Sequence, residues 1–452
     1  MKRIIAASMI FVGVSLAMGI LALHSGLYLR AAGAKDPQEH RFLSAQVDAI
    51  YPDTEAIYID LHKTPELSLH EEKTAAKMAD GLRRLGFEVS TGVGGTGVVG
   101  ILRNGAGPTV MIRTDLDALP VEEKTGLPYA SHVRTKDDSG LDVAVMHACG
   151  HDIHMASWLG TARILASNKN RWSGTLMMVG QPAEEVGLGA RAMLQAGLFT
   201  QFPRPDFALA IHDAAELPAG KIGYTPGYGW ANSDGVDITI FGKGGHGARP
   251  ETTVDPIVIA ARTVLALQTI VSRENSPMDP AVVTVGSIHG GTRGNIIPDE
   301  VRLQLTVRSY KDEVRKHLLA AIERIAKAEA AAAGADRPPL IKVTENAKSV
   351  YNDPELTRRL ARALRQALGE SNVVEISPTM VFEDFSEYVR AGVPGVVLRV
   401  GAVEPSKFEA AKASGVILPS THSPLFAPDR EATLRTAILT ETVSAMELLG
   451  KR

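Results

Sequence analysis

Three short apolar runs in the first half of the chain, at 109–113, 175–179 and 207–211, are separated by helical stretches, and each is followed at once by side chains that bind metals or move protons. Runs of this length, apolar throughout, suit strands of a largely parallel sheet buried on both faces. In such sheets the carboxyl ends of the strands open onto the ligand crevice. The first run delivers Asp115 and Asp117, the second Gln181, Glu184 and Glu185, and the third His212 and Asp213. A chain patterned this way is constrained to the α/β class, with its polar chemistry gathered along one sheet edge.

Between the first two runs lies Met146-His147-Ala148-Cys149-Gly150-His151-Asp152-Ile153-His154, which packs a thiol, imidazoles and a carboxylate together. A thiolate beside neutral imidazoles is a donor mixture that zinc and similar divalent ions prefer. Cys149 is the single cysteine of the 452 residues, so an intramolecular disulfide is excluded. Its alternative fate is that of a buried small hydrophobe. The flanking histidines favour a ligand, since a free thiol outside the cytoplasm needs protection from oxidation. Asp115 and Asp117 read either as groups that orient ligands or tune a base, or as a solvated turn with a helix cap. Glu184 and Glu185 read either as a surface charge pair or as a division of labour, one binding metal and the other handling the proton of a water.

The chain begins with Lys2 and Arg3, an uncharged apolar run at 4–23, and the small residues Ala31, Ala32, Gly33 and Ala34. This order is that of an export signal over residues 1–34, cleaved near Ala34. A run of roughly 20 apolar residues also spans a bilayer, so an uncleaved anchor is the alternative. Both place the folded part outside the cytoplasm, periplasmic or secreted. The net charge of −3 and the lack of a basic run exclude nucleic acid as an obvious partner and leave membrane contact to the N-terminal segment alone. A small soluble substrate fits better.

Helical spacing at 47–61 and 71–85 is broken by Thr64-Pro65-Glu66, short strands follow at 87–90 and 98–102, and 153–166 is helical. A linker is expected between 34 and 45. The middle changes character: strand 236–241, a Gly-rich loop at 242–250, helix 254–272, strands 282–288 and 301–310, helix 312–333 and strand 340–344. The order β-α-β-β-α-β is that of a ferredoxin-like α+β module. It divides the remainder into a first part at 45–230, an insertion at 231–344 and a second part at 345–452. The closing part reads as helix 353–368, a helix opening at 383–385, strand 395–400, a loop of small residues before His422, and helix 429–449.

Taken in order, Pro65-Glu66-Leu67-Ser68, Arg113 to Pro120, His147 to His154, Gln181 to Glu185, Gly242 to Ala248, Asn295-Ile296-Ile297-Pro298, Glu383-Asp384-Phe385 and His422-Ser423-Pro424 make the chain resemble the M20 metallopeptidases, in the branch of hippurate hydrolases and indole-acetyl amino acid conjugate hydrolases. The resemblance implies a zinc-peptidase-like catalytic α/β domain carrying an inserted dimerisation and lid domain. It also implies two divalent metal ions per subunit, for which zinc, manganese, cobalt and nickel are all compatible with the donors. Cys149, His151, Glu185, His212 and His422 match the family's ligands, with Cys149 as the bridge between the ions. Glu184 matches the general acid/base, and Asp117, with Asp115, an orienting carboxylate. His246 matches a residue that reaches a neighbouring active site and steadies the oxyanion, which implies a homodimer through the inserted domain. The alternatives for its glycine loop are a plain surface loop or a phosphate site, but no Walker Lys-Ser or Lys-Thr follows. Asn295 and Arg308 are expected to hold the substrate carboxylate, with a structural salt bridge as the alternative for Arg308. His147 and His154 are expected to be hydrogen-bonded neighbours rather than ligands. Asp213, and the bulky pair Val381-Phe382, depart from the family pattern and are expected to shape the substrate pocket.

The activity implied is hydrolysis of the amide bond of N-acyl amino acids or small peptides by a metal-activated water. The alternatives are a dipeptidase or carboxypeptidase of the same family, or a metal-holding protein without turnover. Glu184 separates the last from the others, because a metal trap has no use for a general base. A serine or cysteine hydrolase is disfavoured: no Gly-x-Ser-x-Gly elbow occurs, and the one cysteine is taken.

Overall fold

The computed structural model describes residues 37–451, so the expected export signal lies outside the described residues. The first apolar run is the strand Thr109–Asp115, central in an eight-stranded sheet. Gly174–Gln181 and Phe207–Pro218 flank it, both parallel to it, and Gly395–Val403 continues the parallel set beyond Phe207–Pro218. Parallel pairing puts all their carboxyl ends at one edge, with Asp115 directly opposite Gln181. On the other side Val98–Asn104 and Glu88–Thr91 close the sheet with antiparallel pairs.

Side chains alternate across these strands with a period of two, which divides the core into layers. Val110, Ile112, Leu176, Met178, Leu209 and Ile211 pack with Trp158, Leu165 and Ile438 from the helices His151–Ser167 and Arg430–Leu448. Met111, Met177, Val179, Ala208 and Ala210 face the other way, against Met193, Phe385 and Tyr388. Both sheet faces are therefore covered, as a parallel sheet requires. The helix His151–Ser167 is buried on nearly all sides, which explains its small and apolar composition.

The inserted domain is a four-stranded antiparallel sheet in the order Ala281–His289, Glu300–Ser309, Asn232–Phe241, Leu340–Ala347. The helices Pro256–Thr269 and Asp312–Ala332 cover one face through Ile259, Leu267, Leu318 and Ile322. This is the ferredoxin-like order, and its first and last strands begin and end where the chain leaves and re-enters the large domain.

Two local expectations are corrected. The first helix runs over Pro37–Lys63, so residues 37–45 are helix rather than linker, because Leu43 and Val47 are buried in the core and the Arg171 guanidinium lies 4.3 Å from the Phe42 ring. The segment read as a loop before His422 contains the helix Pro405–Ser414. Pro405 occupies its first turn, and the Glu404 carboxylate accepts from the amides of Ser406 and Lys407.

A buried charge pins the first helix to the helix that carries the cysteine motif. His62, 2% exposed, donates from Nδ1 to Asp152 Oδ2 at 2.6 Å and from Nε2 to Glu123 Oε1 at 3.1 Å. Burial alone would lower its pKa, but the two carboxylates outweigh this and raise it to about 10. The folded pKa thus lies above the unfolded value of about 6.5, so the stabilisation is complete below that pH and is lost as pH rises towards 10. Unfolding free energy from urea titrations of the native protein should fall between pH 6 and pH 9, with about 2 to 3 kcal/mol of the drop due to His62. In His62→Gln the drop should be smaller by that amount, what remains coming from other buried histidines such as His154, raised to about 9.

Candidate metal centre

Each donor reaches the sheet edge through a local backbone device. Gly150, with φ 77°, caps the helix that begins at His151, and a Cβ there would fall 2.1 Å from Asp213 Oδ2, so no other residue fits. Ala183, with φ 52°, turns the chain after the strand Gly174–Gln181 so that Glu184 and Glu185 follow at the crevice. His422 holds φ 68° while its amide donates to the Ala148 carbonyl at 2.7 Å, which ties the last donor to the cysteine loop. Non-glycine residues in this region carry strain of about 1 to 3 kcal/mol each, and such strain concentrates at functional sites.

The donors converge. Ligand atoms of Cys149, His151 and His212 lie within 4.8 Å of one another, as do those of Cys149, Glu185 and His422, and those of His151, Glu184 and Glu185. Cys149 Sγ is 3.6 Å from His212 Nε2. His151 donates from Nδ1 to the Asp117 carbonyl at 2.8 Å, and His212 from Nδ1 to the Asp213 carbonyl at 2.8 Å. Those bonds fix both rings with Nε2 turned towards the cluster, the arrangement that metal-binding imidazoles adopt. His151 Nε2 and Glu185 Oε1 are buried without a hydrogen-bond partner and face each other at 3.8 Å. His422 Nε2 stands 3.3 Å from Glu185 Oε2 and is the most exposed of the set.

Acidic groups crowd this edge. Burial, then Glu383, Glu185 and Asp384, push the Glu184 carboxyl well above its usual range. Burial opposes a charged His151 ring, yet Asp115 and Asp117 outweigh it and hold its pKa well up. Uncompensated negative charge, together with orphaned donor atoms, fits divalent cations.

Arg113 is the built-in counter-charge, and it is fully buried. Nε donates to Gln181 Oε1 at 3.0 Å, Nη1 to Asp115 Oδ2 at 2.8 Å and Glu383 Oε2 at 3.2 Å, and Nη2 to Glu383 Oε1 at 2.9 Å and Asp384 Oδ1 at 3.0 Å. All five of its donors are used. The motif at 383–385 is thereby explained: its two carboxylates hold Arg113. Burial and Glu383 push Asp384 up to about 7 in spite of Arg113. Asp117 Oδ2 accepts from Ser68 Oγ at 2.6 Å and from the Glu185 amide at 3.0 Å, so it orients the glutamate turn as well as His151.

The structure brings Cys149, His151, Glu184, Glu185, His212, His422, Asp115 and Asp117 together, but His246, Asn295 and Arg308 belong to the inserted domain. His246 and Asn295 are neighbours there, on a small ladder that pairs Gly245–His246 with Ile296–Ile297, and the hydrogen bonds of His246 stay within its own loop. Arg308 lies apart from them, on the strand Glu300–Ser309. It donates to Thr306 Oγ1 at 3.1 Å, sits 5.7 Å from the Phe382 ring, and leaves a buried Nη1 without a partner. Among the described residues no carboxylate is paired with it, which argues against a structural salt bridge as its role.

His154 is a hydrogen-bonded neighbour: Nδ1 donates to Asp115 Oδ1 at 2.8 Å, and Nε2 accepts from the Asp213 amide at 2.9 Å. His147 is not. It is buried with neither ring nitrogen hydrogen-bonded, and burial pushes its pKa down to about 4, so it packs as a neutral ring. Asp213 also departs from expectation. Rather than lining a pocket, its buried carboxylate lies 3.3 Å from both His154 Nε2 and His212 Nδ1 with neither oxygen hydrogen-bonded, and the contacts that hold the two imidazoles come from the Asp213 backbone. A second residue missed from sequence is Glu71, whose carboxylate accepts the Ala183 amide at 2.8 Å. Its one signal was an acid at the start of a helix, which resembles any cap.

Comparison with known proteins agrees with this site. The model of peptidase family M20/M25/M40 matches residues 111–413. Thermostable carboxypeptidase 2 of Saccharolobus solfataricus is 36% identical over 396 residues, covering 86% of this chain and 94% of its own. The hippurate hydrolase of Campylobacter jejuni is 37% identical over 335 residues, covering 73% and 83%. Among solved structures, the Bacillus subtilis YXEP protein, a dinuclear metal binding peptidase from the M20 family, superposes with a TM-score of 0.72 at 30% identity, covering 89% of this chain and 99% of that one. With the donor cluster, the two-domain α/β architecture and these relatives in agreement, the chain belongs to peptidase family M20/M25/M40, a metal-dependent hydrolase of amide bonds.

Proposed function

We propose that the protein is an exported amidohydrolase that releases the amino acid from N-acyl amino acids or the terminal residue from small peptides. The single observation that carries this reading is the place of Cys149 in two donor groups at once, with His151 and His212 on one side and Glu185 and His422 on the other. A thiolate so placed would bridge a pair of divalent ions, with those four residues as their remaining ligands. When bound, such ions supply Lewis acidity to the amide carbonyl and make a water acidic enough to ionise near neutral pH.

The chain's own groups do the rest. Glu184, 4% exposed, takes the proton of the attacking water and passes it to the leaving amine. Its raised affinity for a proton suits both halves of that cycle. Arg308, with an unpaired donor at the junction of the domains, holds the free carboxylate of the substrate, and Asn295 adds a polar contact. The aromatic ring of Phe382 beside Arg308 sets the shape of that end of the cleft. His246 steadies the oxyanion once the domains close.

His246 is far along the chain from this edge and exposed on its loop, which favours supply from a second copy. The helix Pro256–Thr269 supports a homodimer: it exposes Ile257, Val258 and Leu265, the last 72% exposed, beside the strand Ala281–His289, which is paired on one side only. Apolar helix faces and open strand edges of this kind call for a partner. The export reading rests on Lys2, Arg3 and the apolar run at 4–23, and the mature protein recovered from a periplasmic or culture fraction should begin close to residue 35.

Hydrolysis should appear in a panel of N-acyl amino acids and dipeptides, disappear after chelation and return with one divalent metal at a time. Glu184→Gln should keep the metal and lose nearly all turnover, while His246→Ala should lose about 10²- to 10³-fold. Full metal binding with no turnover across the panel would favour a metal-holding protein instead. Leu265→Asp should convert the dimer to a monomer by light scattering and lower turnover without loss of metal.

A further inference from the structure

Leu69, Ala183 and His422 are the non-glycine residues that hold a left-handed backbone among the described residues. Such conformations persist only where the surroundings over-determine them. Two of the three are held by one group. Glu71 is fully buried, and its Oε1 accepts the amide of Leu69 at 2.8 Å and the amide of Ala183 at 2.8 Å, while Oε2 accepts from Thr96 Oγ1 at 2.7 Å.

Ala183 immediately precedes Glu184. On the other side of Glu184, the Glu185 amide donates to Asp117 Oδ2 at 3.0 Å, and Asp117 is itself held by Ser68 Oγ at 2.6 Å. Ser68 adjoins Leu69, the other residue that Glu71 clamps. The contacts therefore close into a ring in which Glu184 and Glu185 keep their side chains for chemistry, and the amides on either side of Glu184 are fixed by buried carboxylates. The turn is closed from within by the Gly187 amide on the Glu184 carbonyl at 2.7 Å and the Leu188 amide on the Ala183 carbonyl at 3.1 Å.

We propose that Glu71 is a positioning residue for the reaction: its carboxylate locks the strained turn at Ala183 and so sets where Glu184 and Glu185 stand. This rests on the assignment of Glu184 to proton transfer and Glu185 to metal binding. Its role requires reach and two accepted amides rather than charge. A glutamine keeps both amide bonds on its carbonyl oxygen and turns its NH₂ to the Thr96 hydroxyl. An aspartate is a methylene too short to serve both amides.

The test uses the full-length, metal-loaded protein and compares Glu71→Asp, Glu71→Gln, Glu71→Ala and Thr96→Val. Displacement of a catalytic group by about 1 Å costs on the order of 100-fold in rate. Glu71→Asp and Glu71→Ala should therefore lose kcat by about that factor with KM within about 3-fold, and should yield metal to a competing chelator more readily because Glu185 moves with the turn. Glu71→Gln should recover most of kcat, and Thr96→Val, which touches neither amide, should match the native protein. If Glu71→Ala fails to fold, Glu71→Asp decides. A folded Glu71→Asp with native kcat and native metal retention, or one that loses only thermal stability, overturns the proposal. If the native protein hydrolyses nothing, the assignment of Glu184 fails instead, and chelator competition still reads the position of Glu185.

Discussion

Buried negative charge at one sheet edge is the constraint on which the rest of the structure depends. Asp115, Asp117, Glu184, Asp213, Glu383 and Asp384 are all buried there, and carboxylates in low dielectric are costly unless cations and hydrogen bonds offset them. One guanidinium, that of Arg113, spends all its donors on three of these carboxylates and Gln181, and it leaves Glu184 outside its reach. The deficit on the other side of Glu184, where His151, Glu185 and Cys149 meet, is what divalent ions would fill. The same imbalance that would destabilise an empty site makes Glu184 a group that holds a proton readily.

That constraint fits a large sheet whose central strands are parallel and covered on both faces. Parallel strands Thr109–Asp115, Gly174–Gln181 and Phe207–Pro218 bring their ends to the same edge, and helices on both faces keep water from everything except that edge. The inserted domain is attached at that same side of the fold, through the entry to Asn232 and the exit after Ala347. Its own chemistry, His246, Asn295 and Arg308, is split between a glycine loop and the junction. On our reading the catalytic set is complete only when the two domains, and two copies, come together.

Much of this was legible in the sequence because periodicity and strand-end chemistry are local. The apolar runs before Asp115, Gln181 and His212 are short enough to be strands, and the order of elements from 236 to 344 matches the ferredoxin-like module. The ligand-type residues on the large domain meet as their strand-end positions suggested. What was not legible depends on contacts between distant segments. Nothing local distinguishes Glu71 from a helix-capping acid, because its partner Ala183 is 112 residues away. Asp213 looked like a pocket residue, yet packing against Gly150 turns it onto His154 and His212. His147 sits among hydrogen-bonding histidines in sequence but packs as an unpartnered ring. Helix limits were missed at Pro37 and at Pro405, where burial of Leu43 and capping by Glu404 decide the outcome rather than the apolar period.

The most direct test of the central claim, that Cys149 joins two metal positions, is a crystal structure of the metal-loaded protein with anomalous diffraction recorded on both sides of the metal's absorption edge. Two anomalous peaks per subunit are expected, both bonded to Cys149 Sγ, with His151 and His212 beside one and Glu185 and His422 beside the other. A single peak, or two peaks that leave Cys149 uncoordinated, would contradict it.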